Sequence, residues 1–335
     1  MPGPARPSVR RGRAAATAGR GDRLGTDALR GRGRRGTLAG RGGRASPDRR
    51  RARVTGQPCF VPDAPPSRHV TAAATWSFDP GPILLLGTVT TAYLMRWRQV
   101  RREEGTRAIP VWRLFVFLCG IAAAGAALIS PIDALGSDLF VMHMVQHLLL
   151  LDVAPILCIL GLTKVLLRPM TRRIQGLERA AGPIGHPVFA IFFYVGAMWA
   201  WHAPAMYDAA LSHPVVHVLE HLTFACAGFL YWWHLLSPIR SRHRLGGMGP
   251  VVYMLSTKLL VGLLGIGLTF APDPLYHHYT GGTWGLTAEE DEQIGGAVMA
   301  IEQSIIMGIA LAWLFVRMLE ESQRADERAE RYGPV

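Results

Sequence analysis

Residues 138–161 read DLFVMHMVQHLLLLDVAPILCILG. An apolar run of this length spans a ~30 Å hydrocarbon core, which needs about 20 residues as a helix. Helix is the form lipid allows here, because each backbone N–H and C=O must find its partner within the segment. The run also carries His143 and His147. Four residues apart, they share one helical face, about one turn apart in depth. Imidazole is uncommon in membrane helices, because there it must be desolvated and hydrogen-bonded.

Outward from this stretch, apolar runs recur at roughly 80–96, 111–130, 187–203, 214–236, 250–271 and 294–317. With half of its 335 residues hydrophobic and a mean hydropathy of +0.19, the chain is too apolar for a soluble domain. The predicted fold is all-α and polytopic, with seven transmembrane helices. Three organisational units are expected: a disordered arginine-rich tail over 1–70, a seven-helix membrane domain over 76–320, and a cytoplasmic tail over 321–335.

Loop charge predicts the orientation. The loops RWRQVRREEGTR, KVLLRPMTRRIQGLER and SPIRSRHRL are rich in Lys and Arg, as is RMLEESQR after the last span. The alternate loops SPIDALGSD, HAPAMYDAALSH and APDPLYHHYTGGTWGLTAEEDEQ contain neither. By the positive-inside rule the N-terminus is out and the C-terminus in, as for a multi-pass membrane protein.

The formal charge of +12 belongs to the tail. Residues 1–70 hold 17 of the 36 Lys+Arg and four of the 24 Asp+Glu, which leaves 19 and 20 for the remainder. The tail is too poor in large apolar residues to fold, and it lacks the apolar stretch of a signal peptide. It is read as a disordered extension, or as translation begun upstream of the true start, rather than as an arm for nucleic acid. No nucleic-acid partner is expected. The four cysteines show no paired spacing, which argues against a thiolate metal site or a disulfide framework.

Eight of the twelve histidines lie toward the predicted outer side: His143, His147, His202, His213, His217, His221, His277 and His278. Residues 212–224, SHPVVHVLEHLTF, enter from that side and carry a second pair, His217 and His221, at the same spacing. Counted inward from Asp138 and His213, His143 and His217 share one depth, and His147 and His221 share the next turn, ~12–14 Å in. Two such pairs on facing helices can offer four nitrogens to one ion, or axial ligands to haem. His202 is a fifth candidate ligand. Met142, Met144 and Met206 add soft sulfur suited to Cu(I), although methionine in membrane helices is more often filler. Glu302, about two turns into the last span, is read as a partner for histidine or a ligand. Asp152 and Lys258, at nearly coincident depths, are expected to neutralise each other. His186, His234 and His243 are placed at the inner interface.

At these residues the sequence resembles a known family. The strings HMVQHLLLLDVAPILCILG (143–161), WHAPAMYDAALSHPVVHVLEHLTFACAGFLYWW (201–233) and PLYHHYTGGTWGLTAEEDEQIGG (274–296) resemble the CtaG family of caa3-type cytochrome c oxidase assembly factors. The resemblance covers roughly residues 80–318 and leaves out the tail. It implies a non-enzymatic role in maturing a haem–copper oxidase, with copper delivered at the outer face and oxidase subunit II or its copper donor as partner. By motif, it points to His143 and His147 with Gln146, to His202, and to His217, Glu220 and His221. It also points to Asp291 and Gln293 before the last span. The expected metal ligands are therefore His143, His147, His202, His217 and His221. Gln146, Glu220, Asp291, Glu302, Met142 and Met144 are expected to support them. A haem-binding membrane protein and a zinc-dependent membrane hydrolase are the competing readings.

Overall fold

The computed structural model describes residues 75–239, 243 and 245–333. The arginine-rich stretch 1–70 lies outside the described residues. Within them the chain is helical, with no strand. Twelve α-helices follow one another: α1 Pro80–Glu104, α2 Val111–Leu128, α3 Pro131–Gly136, α4 Phe140–Leu148, α5 Ala154–Gly161, α6 Lys164–Leu167, α7 Thr171–Ala181, α8 Pro187–Trp201, α9 Pro204–Ser212, α10 Pro214–Leu236, α11 Gly249–Thr269 and α12 Ala288–Tyr332.

The starts of these helices are written locally. Proline stands in the first turn of α1, α3, α8, α9, α10 and α11, where its missing N–H costs nothing. Ser130 caps α3 through Ile132 N. Thr287 and Glu290 form a reciprocal capping box on α12.

Five helical segments are long and apolar enough to cross a membrane: Val111–Leu128, Phe140–Gly161, Pro214–Leu236, Gly249–Thr269 and Ala288–Arg331. A sixth arises if Thr171–Gly185 and Pro187–Trp201, bent by 64° at their break, count as one span. Of the seven expected spans, the first corresponds to α1, whose C-terminal half is charged and which falls short of that apolarity. The fourth corresponds to α8, which has 15 residues. α12, with 45 residues, runs well past the predicted end of the last span, so 321–332 continue it as helix.

The central segment is not one regular helix. Between α4 and α5, Leu149–Val153 form a π turn. Pro155 has no N–H, and its ring would clash with the carbonyl four residues back, that of Leu151. The wider turn moves that carbonyl outward. It rests against Gly228 of α10, where an added Cβ would collide with the Leu151 oxygen. α10 therefore packs directly on the backbone of the break, and it also packs on α8. α12 packs on α11 and α4, and α2 packs on α5. Gly265 and Gly296 allow the close approach of α11 and α12, as small residues do at membrane helix interfaces.

At the end of the bundle holding the basic loops, arginines close helix termini. Arg113 donates to the carbonyls of Leu160 and Leu162. Arg96 donates to Leu166 and Val165. These carbonyls lie at the end of α5 and in the short α6 that follows it, where helix ends leave acceptors free or shared.

Candidate metal centre

α4 and α10 bring the two histidine pairs together. The rings of His143 and His147 are 4.3 Å apart between centroids, and those of His217 and His221 are 4.1 Å apart. Across the helices, His143 meets His217 at 5.5 Å and His147 meets His221 at 6.0 Å. The paired depths counted from the sequence are thus reproduced in space.

Glu220 lies between the pairs. Its side chain is fully buried, with Oε2 3.6 Å from His143 Nε2 and Oε1 3.5 Å from His147 Nε2. Ligand atoms of His143, His147 and Glu220 all lie within 4.8 Å of one another, and so do those of His217, Glu220 and His221. The carboxylate is common to both sets.

The cluster is polar, enclosed and unsatisfied. The Nε2 atoms of His143, His147, His217 and His221, the Nδ1 of His147 and both oxygens of Glu220 are buried without a hydrogen-bond partner. Buried polar groups are almost always paired, because each unpaired one costs about 1–3 kcal/mol. The four Nε2 atoms and the shared carboxylate among them make up a ligand set without a partner. A tetrahedral ion with bonds of ~2.0–2.1 Å to four imidazoles sets ring centroids roughly 5 Å apart. The spacings run from 4.1 to 6.0 Å, and the ligand atoms group as two three-residue sets that share Glu220 rather than as one set of four imidazoles.

His202, at the end of α8, stands at the edge of this group, 6.1 Å from His147 between centroids. Its Nδ1 lies 2.7 Å from Met198 O and its Nε2 3.2 Å from Met144 Sδ. Met144 therefore faces the cluster, with its sulfur engaged by His202. Met142, two positions earlier on α4, is partly buried.

Of the residues expected to support the site, Gln146 and Asp291 have other partners and Glu302 lies apart from it. Gln146 donates to Ala127 O and Asp133 Oδ1, tying α4 to α2 and α3. Asp291 accepts from Phe140 N and Val141 N, at 2.7 and 3.0 Å, and so closes the start of α4. It positions the histidine helix through its N-terminal amides. Glu302 belongs to a separate polar group around Asp152. His213, His277 and His278 are exposed.

The pairing expected between Asp152 and Lys258 is corrected by the structure. Asp152 accepts from Tyr194 Oη at 2.8 Å, Trp232 Nε1 at 2.7 Å and Gln303 Nε2 at 3.0 Å. Lys258 Nζ donates to the Gln303 carbonyl at 3.2 Å. The two charges are linked through Gln303, and no direct ion pair joins them. Counting residues fixes depth along an axis but not the angle around it.

Sequence reasoning missed the aromatic cap over the cluster. Phe140 stacks on Tyr276 at 5.1 Å, and Tyr207 lies 4.1 Å from Tyr276. Tyr207 and Tyr279 share a 2.9 Å hydrogen bond; Tyr279 donates to Gly136 O and Tyr276 to His202 O. Burial holds all three phenols above their ordinary range, so they remain neutral donors. The signal lay in PLYHHY (274–279), where the tyrosines and not the histidines turn inward.

A membrane bundle with a histidine–carboxylate cluster near one end defines the class of the molecule. The family model for the cytochrome c oxidase caa3 assembly factor (Caa3_CtaG) matches residues 91–321. The chain belongs to that family. It is 22% identical over 295 residues to an uncharacterized protein of Mycobacterium leprae, covering 80% of this chain and 43% of the relative. An uncharacterized protein of Mycobacterium bovis is 21% identical over 281 residues, covering 77% of this chain and 41% of the relative. The chain thus matches less than half the length of these relatives. No solved structure matches it.

Proposed function

We propose that this protein is a cytochrome c oxidase assembly factor that holds copper as cargo in the histidine cluster and passes it on at the outer face of the plasma membrane. Family membership supports the assembly role. The observation that carries the metal reading is the convergence of unpartnered imidazole nitrogens on the unpartnered Glu220 carboxylate. In this reading the seven-span topology holds, with α1 and α8 as the spans of lower apolarity or length, N-terminus out and C-terminus in. The partner is oxidase subunit II or its copper donor, and the protein is not an enzyme.

The residues fit a cargo ion. Neutral imidazoles bind Cu(I) or Cu(II), and Glu220 offsets the ion's charge in a low-dielectric setting. The thioether of Met144, already at His202, is a soft donor beside the cluster. Transfer requires that the hold be reversible.

The test uses full-length protein purified without chelators. Metal analysis and copper titration should give bound copper that His147→Ala and His221→Ala each lose while remaining inserted and abundant. Oxidase maturation in copper-limited cells should fall with them, with partial rescue by excess copper through mass action. Full oxidase activity in both variants under copper limitation would overturn the reading. A haem absorption band in the wild type, lost in the variants, would replace copper with haem.

A further inference from the structure

A second group of polar side chains lies within the bundle and shares no residue with the histidine cluster. It gathers where the π turn, α8, α10, α11 and α12 meet. Asp152, 1% exposed, receives hydrogen bonds from Tyr194, Trp232 and Gln303. Gln303, also 1% exposed, leaves its side-chain Oε1 without a partner. Both carboxyl oxygens of the adjacent Glu302 are buried and unpartnered. The charges that act on Glu302 are Asp152 and Lys258.

The charge count is decisive. Ionisable groups facing this point are Asp152 from the π turn, Tyr194 from α8, Tyr231 from α10, Tyr253 and Lys258 from α11, and Glu302 from α12. The phenols are neutral near neutral pH. Two ionised carboxylates against one ammonium would leave a net negative charge inside the membrane, where an uncompensated charge is expensive. One proton restores neutrality. Three donors converge on Asp152, which suits the ionised form. Glu302 has no partner at full hydrogen-bond distance, and its nearest interactions are with Asp152 and Gln303.

We infer that Asp152 and Glu302 form a proton-binding site within the bundle, with Glu302 carrying the proton and Asp152 as its ionised partner. Lys258, held by the Gln303 carbonyl, supplies the positive charge that limits the site to one proton. This inference does not rest on the copper reading.

Infrared spectroscopy of the full-length protein in lipid vesicles near neutral pH tests it. The wild type should show the carbonyl stretch of a protonated carboxylic acid in an apolar setting, shifted on deuterium exchange. Glu302→Gln should remove that band, and Glu302→Asp should move it. Lys258→Met should about double it, because neutrality then requires two protons. The double variant Lys258→Met/Glu302→Gln should return one band, now from Asp152. Absence of any such band in the wild type, or its survival in Glu302→Gln, overturns the inference. So does a carboxylate band that responds to sodium in place of an acid band, since a metal cation would then hold the site. The Asp variant and the Lys258 series keep the test decisive should the Gln variant fail to fold.

Discussion

At Glu220 the sequence and the structure give different weights to one residue. The motif HVLEH names it, but spacing alone makes it a neighbour of the ligands, since it stands one position before His221. Only the approach of α4 places its oxygens 3.5 and 3.6 Å from His147 and His143. Glu220→Gln keeps the shape and removes the charge. It is expected to weaken copper binding at least about tenfold, ~1.4 kcal/mol, with folding retained. A competition titration with a chromogenic chelator measures it, and unchanged affinity would show that the carboxylate is no ligand. Depth matching of the histidine pairs was legible because helix rise is nearly constant. The partner of Asp152 was not, because Tyr194, Trp232 and Gln303 depend on how α8, α10 and α12 turn about their axes.

At the scale of elements, the π turn decides how the central span meets its neighbours. Its signal was present in the sequence: a proline inside an apolar run, at Pro155, with a polar residue three positions before it. Length and apolarity alone nevertheless make 138–161 one regular helix. The displaced Leu151 carbonyl needs a residue without a side chain opposite it, and Gly228 provides that. Gly228→Ala should force the backbones apart at a cost of about 1–3 kcal/mol. It should appear as a lower thermal midpoint in detergent. Because α10 carries His217, Glu220 and His221, copper affinity should fall in the same variant. An unchanged midpoint would mean that the break relaxes freely and does not fix the position of α10.

For the whole molecule, seven apolar runs were legible, and each falls on a helix. Five of them correspond to segments that qualify as spans by length and apolarity alone. The two marginal runs show why hydropathy does not settle a bundle. α1 is amphipathic in charge along its length, with Arg96, Arg98, Arg101 and Arg102 in its second half. It nevertheless exposes Ile83, Leu84, Leu85 and Val89 in its first half. That half suits lipid, and the basic half suits a headgroup layer on the side of the other basic loops. The proposed topology therefore puts the 105–110 turn inside and the 270–287 loop outside, with the histidine cluster nearer the outside. In a background without native cysteines, Thr283→Cys should react with a membrane-impermeant thiol reagent in intact cells. Thr106→Cys should react only after permeabilisation. The reverse pattern would place the histidine cluster toward the cytoplasm, and copper would then be taken from the inner compartment rather than delivered outside. Labelling at both positions in intact cells would mean that an even number of segments crosses between them, so that one of the five, with the 15-residue α8 the first candidate, does not span.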